Sequence, residues 1–181
     1  MKHFVTSDTH WHHGNIRTHD NRPFLTLDEM NTAMIQNWNR VVGPKDRVYH
    51  LGDVCWIPRF WAGVLEALNG EICLVKGNHD RMPSPARRRF VWVKDYHYYK
   101  WEGERVIMMH YPIESWNSRA HGVVHLHGHS HGYSRPVHNR LDVGTMLHDY
   151  GPIEIKDAVA LARQVPMEVP PTAETERRST K

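Results

Sequence analysis

The segment 126–132, LHGHSHG, sets His127, His129 and His131 on alternate positions beside two glycines. Neither residue type builds a strand well, and glycine weakens one. Imidazoles at a bend in the chain are suited to holding a metal ion or moving a proton. Four further clusters carry related chemistry: Asp8-Thr9-His10, Gly52-Asp53, Gly77-Asn78-His79-Asp80 and the single His110. Asp8 and His10 are two apart, as are His129 and His131, so extended backbone would send each pair from one face. Glycines before Asp53, Asn78 and His129 let the chain turn sharply or approach a ligand closely. Asp8, His10, Asp53, Asn78, His110, His129 and His131 together offer seven nitrogen and oxygen side chains. That exceeds the needs of one tetrahedral zinc and suits two transition ions sharing a carboxylate. Mixed imidazole and carboxylate donors argue against a thiolate cluster and against a calcium cage.

These clusters need a scaffold, and each follows a β-like run: 3–7, 47–51, 71–75, 105–109 and 123–127. Ligands bind at the carboxyl ends of strands in open α/β sheets. Between the early strands the apolar spacing predicts a helix over 27–40, with Thr26 as N-cap and Glu29 at the capping-box position. A second helix is expected from Pro58 to the stop signal Asn69-Gly70, a shorter one over 84–90, and a last one over 156–164. The runs 96–101 and 105–109 flank a Glu-Gly-Glu turn and read as a hairpin. Strand–helix alternation followed by hairpin-like strands predicts an α/β domain with a mixed sheet over 1–164. The proline-rich, aperiodic stretch 165–181 reads as a disordered tail.

Composition narrows the setting. The chain has 181 residues, a net charge of +3 and 40% hydrophobic residues, enough for one domain with a real core. No apolar run reaches the roughly 18 residues of a membrane span, and the N-terminus lacks a secretory h-region. The expectation is a soluble cytoplasmic protein. Cys55 and Cys73 match no metal or redox spacing and read as buried thiols. A weak basic balance permits phosphate-bearing partners without demanding nucleic acid.

Taken in order, D-x-H, G-D, G-N-H-D, a later single His and G-H-x-H resemble the calcineurin-like metallophosphoesterases. The match covers roughly 3–150, and the flanking text SDTH, NRPF, VYHLGD and HYP looks like small stand-alone bacterial and phage members. The resemblance implies a four-layer αββα sandwich of two mixed sheets, with a dinuclear site at the carboxyl edge of the strands. By matched positions Asp8, His10, Asp53 and His131 would hold one ion. Asp53, Asn78, His110 and His129 would hold the other, Asp53 bridging. Manganese is the first expectation, with iron, zinc, nickel and cobalt accepted by the same donors. A hydroxide between the ions would attack phosphorus in line, and His79, oriented by Asp80, would protonate the leaving group.

Substrate contacts are expected from His13, Asn15, Arg22, Arg81 and Tyr111, which lie close in sequence to the motifs. The partner implied is a phosphate ester, with a lean toward phosphodiesters and nucleotide-derived compounds. No membrane and no obligate protein partner is implied. Two alternatives stand: a catalytically silent binding module on the same fold, and a phosphomonoesterase or phosphoprotein phosphatase.

Overall fold

A computed structural model describes residues 1–167. Of the expected tail only 165–167 falls within them; the rest lies outside the described residues. In chain order the strands are β1 (His3–Thr6), β2 (Arg47–His50), β3 (Glu71–Val75), β4 (Phe90–Lys94), β5 (Tyr96–Trp101), β6 (Glu104–Met109), β7 (Val124–His127), β8 (Arg140–Asp142) and β9 (Ile153–Glu154). The helices are α1 (Ile16–His19), α2 (Leu27–Val41), α3 (Trp61–Ala67), α4 (Ser84–Arg87) and α5 (Ile155–Gln164). One sheet has the order β4-β3-β2-β1-β9 and the other β5-β6-β7-β8. Both are mixed: β1 to β4 run parallel with β9 opposed, and β6 to β8 run parallel with β5 opposed.

Alternation along the strands divides the core. Phe4, Val48, Ile72 and Leu74 face α2 and α3, where Met30, Met34, Trp38, Trp61 and Leu65 cover them. Val5, Tyr49, Cys73 and Val75 face the second sheet, meeting Val106, Met108, Val124 and Leu126. The apolar side of α5, through Ile155, Ala158, Val159 and Ala162, joins this inter-sheet layer. On the far face of the second sheet, Ile107, Val123 and Val137 pack with Trp116 from the connection between β6 and β7.

Helix α2 begins as its local sequence requires. Thr26 Oγ1 accepts from Glu29 N, and the Glu29 side chain accepts from the Thr26 N–H. The helix expected over 84–90 stops at Arg87 instead. Phe90 and Val93 are claimed by pairing with Ile72 and Leu74 of β3, so the segment leaves the helix to become an edge strand. Cys55 and Cys73 are both buried and free. Among the described residues, no helix is long and apolar enough to cross a membrane.

Candidate metal centre

The sheet register brings the clusters together. Thr6 pairs with His50 and His50 with Leu74, so β1, β2 and β3 end level with one another. In the second sheet Met108 pairs with Leu126, so β6 and β7 end together as well. The two edges are joined where Ser7 bridges Gly144 and the Thr145 N–H donates to the Ser7 carbonyl at 2.9 Å. Five loops from distant parts of the chain therefore open onto one place.

The backbone of those loops is not extended. Asp8, His10, Asp53, His129 and His131 have φ of 53°, 49°, 57°, 68° and 49°. The expectation that each D-x-H or H-x-H pair shares a face by strand alternation is thus replaced by left-handed turns. The cause is the neighbouring loop: Asp8 N donates to Gly52 O and His10 N to Asp53 O, both at 3.0 Å. Each such residue costs of order 1–3 kcal/mol, and positive φ in non-glycine residues clusters at functional sites. Gly77 has a different task, since a Cβ there would lie 2.2 Å from Asp53 Oδ1.

All seven expected ligands converge. His10 Nε2 lies 3.9 Å from Asp8 Oδ1 and 3.6 Å from Asp53 Oδ2. His131 Nε2 lies 3.6 Å from Asp8 Oδ1, and His110 Nε2 lies 3.6 Å from Asp53 Oδ2. Asn78 Oδ1 stands 3.0 Å from both His110 Nε2 and His129 Nδ1. Two donors on one tetrahedral ion at about 2.1 Å stand roughly 3.4 Å apart. Donor atoms of Asp8, His10 and His131 fall within 4.8 Å of one another, as do those of Asp8, Asp53 and His110.

Hydrogen bonding shows that these residues fit a cation. His10 Nε2 is buried with no partner. His110 Nδ1–H donates to the Leu51 carbonyl at 2.7 Å. Burial lowers the pKa of His110 despite the pull of the Asp53 carboxylate, so the ring is neutral and its Nε2 carries only a lone pair. That lone pair faces the oxygens of Asn78 and Asp53, and acceptors cannot satisfy one another. A positive ion between them satisfies all three. Asp8, fully buried, has its carboxyl pushed up to about 8 by burial, which marks a carboxylate wanting a nearby positive charge.

Three residues outside the expected ligand set support it. Asp20 Oδ1 accepts from His131 Nδ1–H at 2.8 Å, turning Nε2 toward Asp8. Burial opposes ionisation of Asp20, but hydrogen bonds from His131 and His19, with the Arg22 cation, hold its carboxyl well below the usual range. Burial lowers the proton affinity of His131, and the Asp20 and Asp8 carboxylates more than restore it. Asp142 holds the G-H-S-H loop by accepting from Ser130 Oγ at 2.7 Å and from Gly132 N and Gly144 N at 2.9 Å. His50 accepts from Gly52 N and donates to Thr9 Oγ1, tying two motif loops together from below. The available signals were the Asp20-Asn21-Arg22 triplet and the Asp142-Val143-Gly144 turn beside the motifs.

Two assigned roles change. Asp80 does not touch the His79 ring; its carboxylate accepts from Gly77 N at 2.8 Å, Asp53 N at 3.0 Å and Val54 N at 2.8 Å. It staples the G-N-H-D loop to the G-D loop, and burial pushes its carboxyl up to about 6. Arg22 is buried and cannot meet substrate: its guanidinium donates to Asp8 O at 2.8 Å, Thr9 O at 2.9 Å and the Asp20 carboxylate. The sequence places it near the site, but burial directs its donors to the strained backbone of the first motif.

Above the donors is a cavity of about 400 Å³ lined by His13, Asn15, Trp56, His79, Ser130 and Tyr133, with His10, Asp53, His129 and His131 also on its surface. His79 is exposed, its N–H bound to Asp53 Oδ1 at 2.9 Å and its ring 4.9 Å from that of Trp56. Tyr111 lies edge-on to the His110 and His129 rings at 5.0 and 4.8 Å, outside the cavity lining. Arg81 is exposed and likewise outside it.

Two mixed sheets with flanking helices, and a cluster of imidazoles and carboxylates at their joined edge, define a metal-binding α/β domain. The family model for the calcineurin-like phosphoesterase superfamily domain matches residues 1–155, and the chain belongs to that superfamily. It is 34% identical over 168 residues to the uncharacterized protein MJ1445 of Methanocaldococcus jannaschii, covering 87% of this chain and 89% of that protein. The fold is also that of the protein of unknown function AQ665 from Aquifex aeolicus. There the TM-score is 0.69 at 23% identity, over 88% of this chain and 98% of the other.

Proposed function

We propose that the protein is a cytoplasmic phosphoesterase that uses two divalent transition ions, manganese foremost, to hydrolyse phosphodiesters. The observation that carries this is the convergence of metal-ligating atoms on one space, with the His110 Nε2 lone pair left facing the Asn78 oxygen. His10 Nε2, His110 Nε2, Asn78 Oδ1 and the carboxylates of Asp8 and Asp53 all point into one space. Asp8, His10, His131 and Asp53 would hold one ion, and Asp53, Asn78, His110 and His129 the other. Such a pair polarises a phosphate and makes a water acidic enough to act as nucleophile near neutral pH.

The chain's own residues do the rest. Asp20 and the Leu51 carbonyl fix the tautomers of His131 and His110, so that each offers Nε2 without reorganisation. Asp80 keeps the His79 backbone against Asp53 by holding the two loops together. His79 lines the cavity and can pass a proton to the departing oxygen, a role typically worth about 10²–10⁴-fold. An accessible cavity favours diesters with one small arm over bulky phosphoprotein.

The test is turnover of a chromogenic phosphodiester and its monoester counterpart with manganese, iron, zinc, nickel or cobalt. Diester turnover dependent on metal is expected. A folded sample silent with every metal would support a binding module on the same fold. Monoester turnover alone would support a phosphatase. His79→Ala should retain the metal stoichiometry, measured by calorimetry, while losing most turnover; loss of metal instead would show that His79 is a ligand.

A further inference from the structure

The cavity wall contains two aromatic residues that the metal chemistry does not use. Trp56 is 40% exposed, although tryptophan is among the residues with most to gain from burial. Its ring is nonetheless held in place. His13 stacks on it with centroids 3.8 Å apart and planes at 19°, and His79 lies against it at 4.9 Å. Tyr133 lines the same cavity and is 76% exposed, while its backbone is fixed by donation to Ser130 O at 2.8 Å. An aromatic ring held in place beside an open cavity, as Trp56 is, binds flat partners at low entropic cost, and Tyr133 can close over such a partner from the same cavity wall.

Placement sets what the partner is. Asp53, His10, His129 and His131 share the cavity with both rings, so a phosphate held there has its ester arm beside Trp56 or Tyr133. No lysine or arginine lines the cavity among the described residues. A polyphosphate or a long nucleic-acid backbone would bring further charges with nothing to meet them. A volume near 400 Å³ lies in the ordinary range for small-molecule sites. What fits is one phosphate carrying one flat, aromatic arm. Histidine and tyrosine edges, with Asn15 and Ser130, offer hydrogen-bonding groups to a heterocycle rather than to a plain hydrocarbon.

We propose that Trp56, backed by His13, and Tyr133 form a stacking platform for the base of a nucleoside phosphodiester bearing a single phosphate. The proposal rests on the phosphoesterase reading for its reaction but not for its binding. Base–aromatic stacking corresponds to about 5–150-fold in affinity per base.

The experiment has a binding arm and a kinetic arm. In the first, the manganese-loaded protein is titrated with thymidine 5′-monophosphate and with ribose 5-phosphate, by calorimetry and tryptophan fluorescence. The nucleotide should bind at least fivefold tighter, with Trp56→Ala and Tyr133→Ala each narrowing the gap and Trp56→Phe keeping it. Equal affinities in the wild-type protein, or a gap that survives both alanine variants, overturn the platform. So does affinity that climbs with oligonucleotide length, which would make the surface a polymer groove. Tyr133 is so exposed that its alanine variant keeps the test valid even if Trp56→Ala fails to fold. In the second arm, thymidine 5′-(p-nitrophenyl) phosphate and methyl p-nitrophenyl phosphate share a leaving group and differ only in the other arm. The KM ratio should favour the nucleoside ester and collapse toward one in the alanine variants. A binding gap without turnover of either diester would refute the phosphodiesterase reading and leave the platform standing. Equal turnover of both without a binding gap would do the reverse.

Discussion

A single methyl group at Gly128 tests how closely the two sheets meet. Alanine there would place its Cβ 1.7 Å from Ser7 Oγ and 2.4 Å from Asp8 Oδ2. Real Cβ atoms keep at least 3.0 Å from such neighbours, so Ser7 Oγ must retreat by about 1.3 Å and the Asp8 oxygen by about 0.6 Å. The φ of Gly128 lies outside the left-handed range, so the cost is contact alone and not backbone strain. Neither side yields easily. Ser7 and Asp8 are fully buried, Ser7 Oγ donates to Asp8 Oδ2, and His129 N donates to both Asp8 oxygens at 3.0 and 3.2 Å. Overpacking of this kind costs about 1–3 kcal/mol, and each kcal/mol lowers Tm by about 2–4 °C in a domain of this size. The effect on metal should be larger. Ligand distances are tolerated within about 0.2 Å, so displacing Asp8 by about 0.6 Å removes it as an effective ligand. Gly128→Ala should therefore lower manganese affinity at least about 10–100-fold by calorimetry, with a modest loss of Tm in the metal-free protein. The double change Ser7→Gly with Gly128→Ala relieves the closest contact but not the one to Asp8. It should recover Tm more than metal affinity. Wild-type affinity and Tm in Gly128→Ala would refute the close approach of β1 and the G-H-S-H loop.

Asp20→Asn keeps an acceptor for His131 but removes the charge that Arg22 and His131 share; manganese affinity should fall about 10–100-fold, with turnover restored at high metal. An unchanged dissociation constant would show that Asp20 serves only the fold. Asp80→Ala leaves three backbone N–H groups unpaired and should lower stability in urea by at least about 2 kcal/mol, where a role confined to His79 would leave stability alone. Burial lowers His50 and His125 to about 3, so these two rings weaken the fold as pH falls, while the raised carboxyls of Asp8 and Asp80 act in the opposite direction. Below pH 6.5 the unfolded chain takes up protons that these native rings refuse, so the stability each ring contributes falls with pH until about 3. Each ring then costs about 2 kcal/mol at pH 5 relative to pH 8. Urea titrations of the wild type and of His125→Gln at the two pH values isolate the ring's share: the variant should lose about 2 kcal/mol less between pH 8 and pH 5, and an identical pH dependence would contradict it.

Much of the site was legible because its signals are local. A β-like run ending in glycine and a polar residue can be recognised within ten residues, and all five such places lie at the carboxyl edge of a strand. The capping box at Thr26 and Glu29 is likewise a contact between residues three apart, and it forms as written. Edge strand β4 was missed because its apolar residues acquire their meaning only beside Ile72 and Leu74. Asp20 was missed for a similar reason: the ring it orients is 111 positions away. Asp80 and Arg22 were found but given the wrong work, since proximity in sequence does not say which way a buried donor or acceptor turns.

The sequence by itself determined which metal-binding side chains exist, and that each follows a strand able to carry it to a sheet edge. Those are properties of short segments, set by residue type and spacing. Only the tertiary structure decided the left-handed turns at the ligands, the tautomers of His110 and His131, and the carboxylates and carbonyls that impose them. A buried polar group must find its partner among atoms brought near by folding, and for this site those atoms come from loops far apart along the chain.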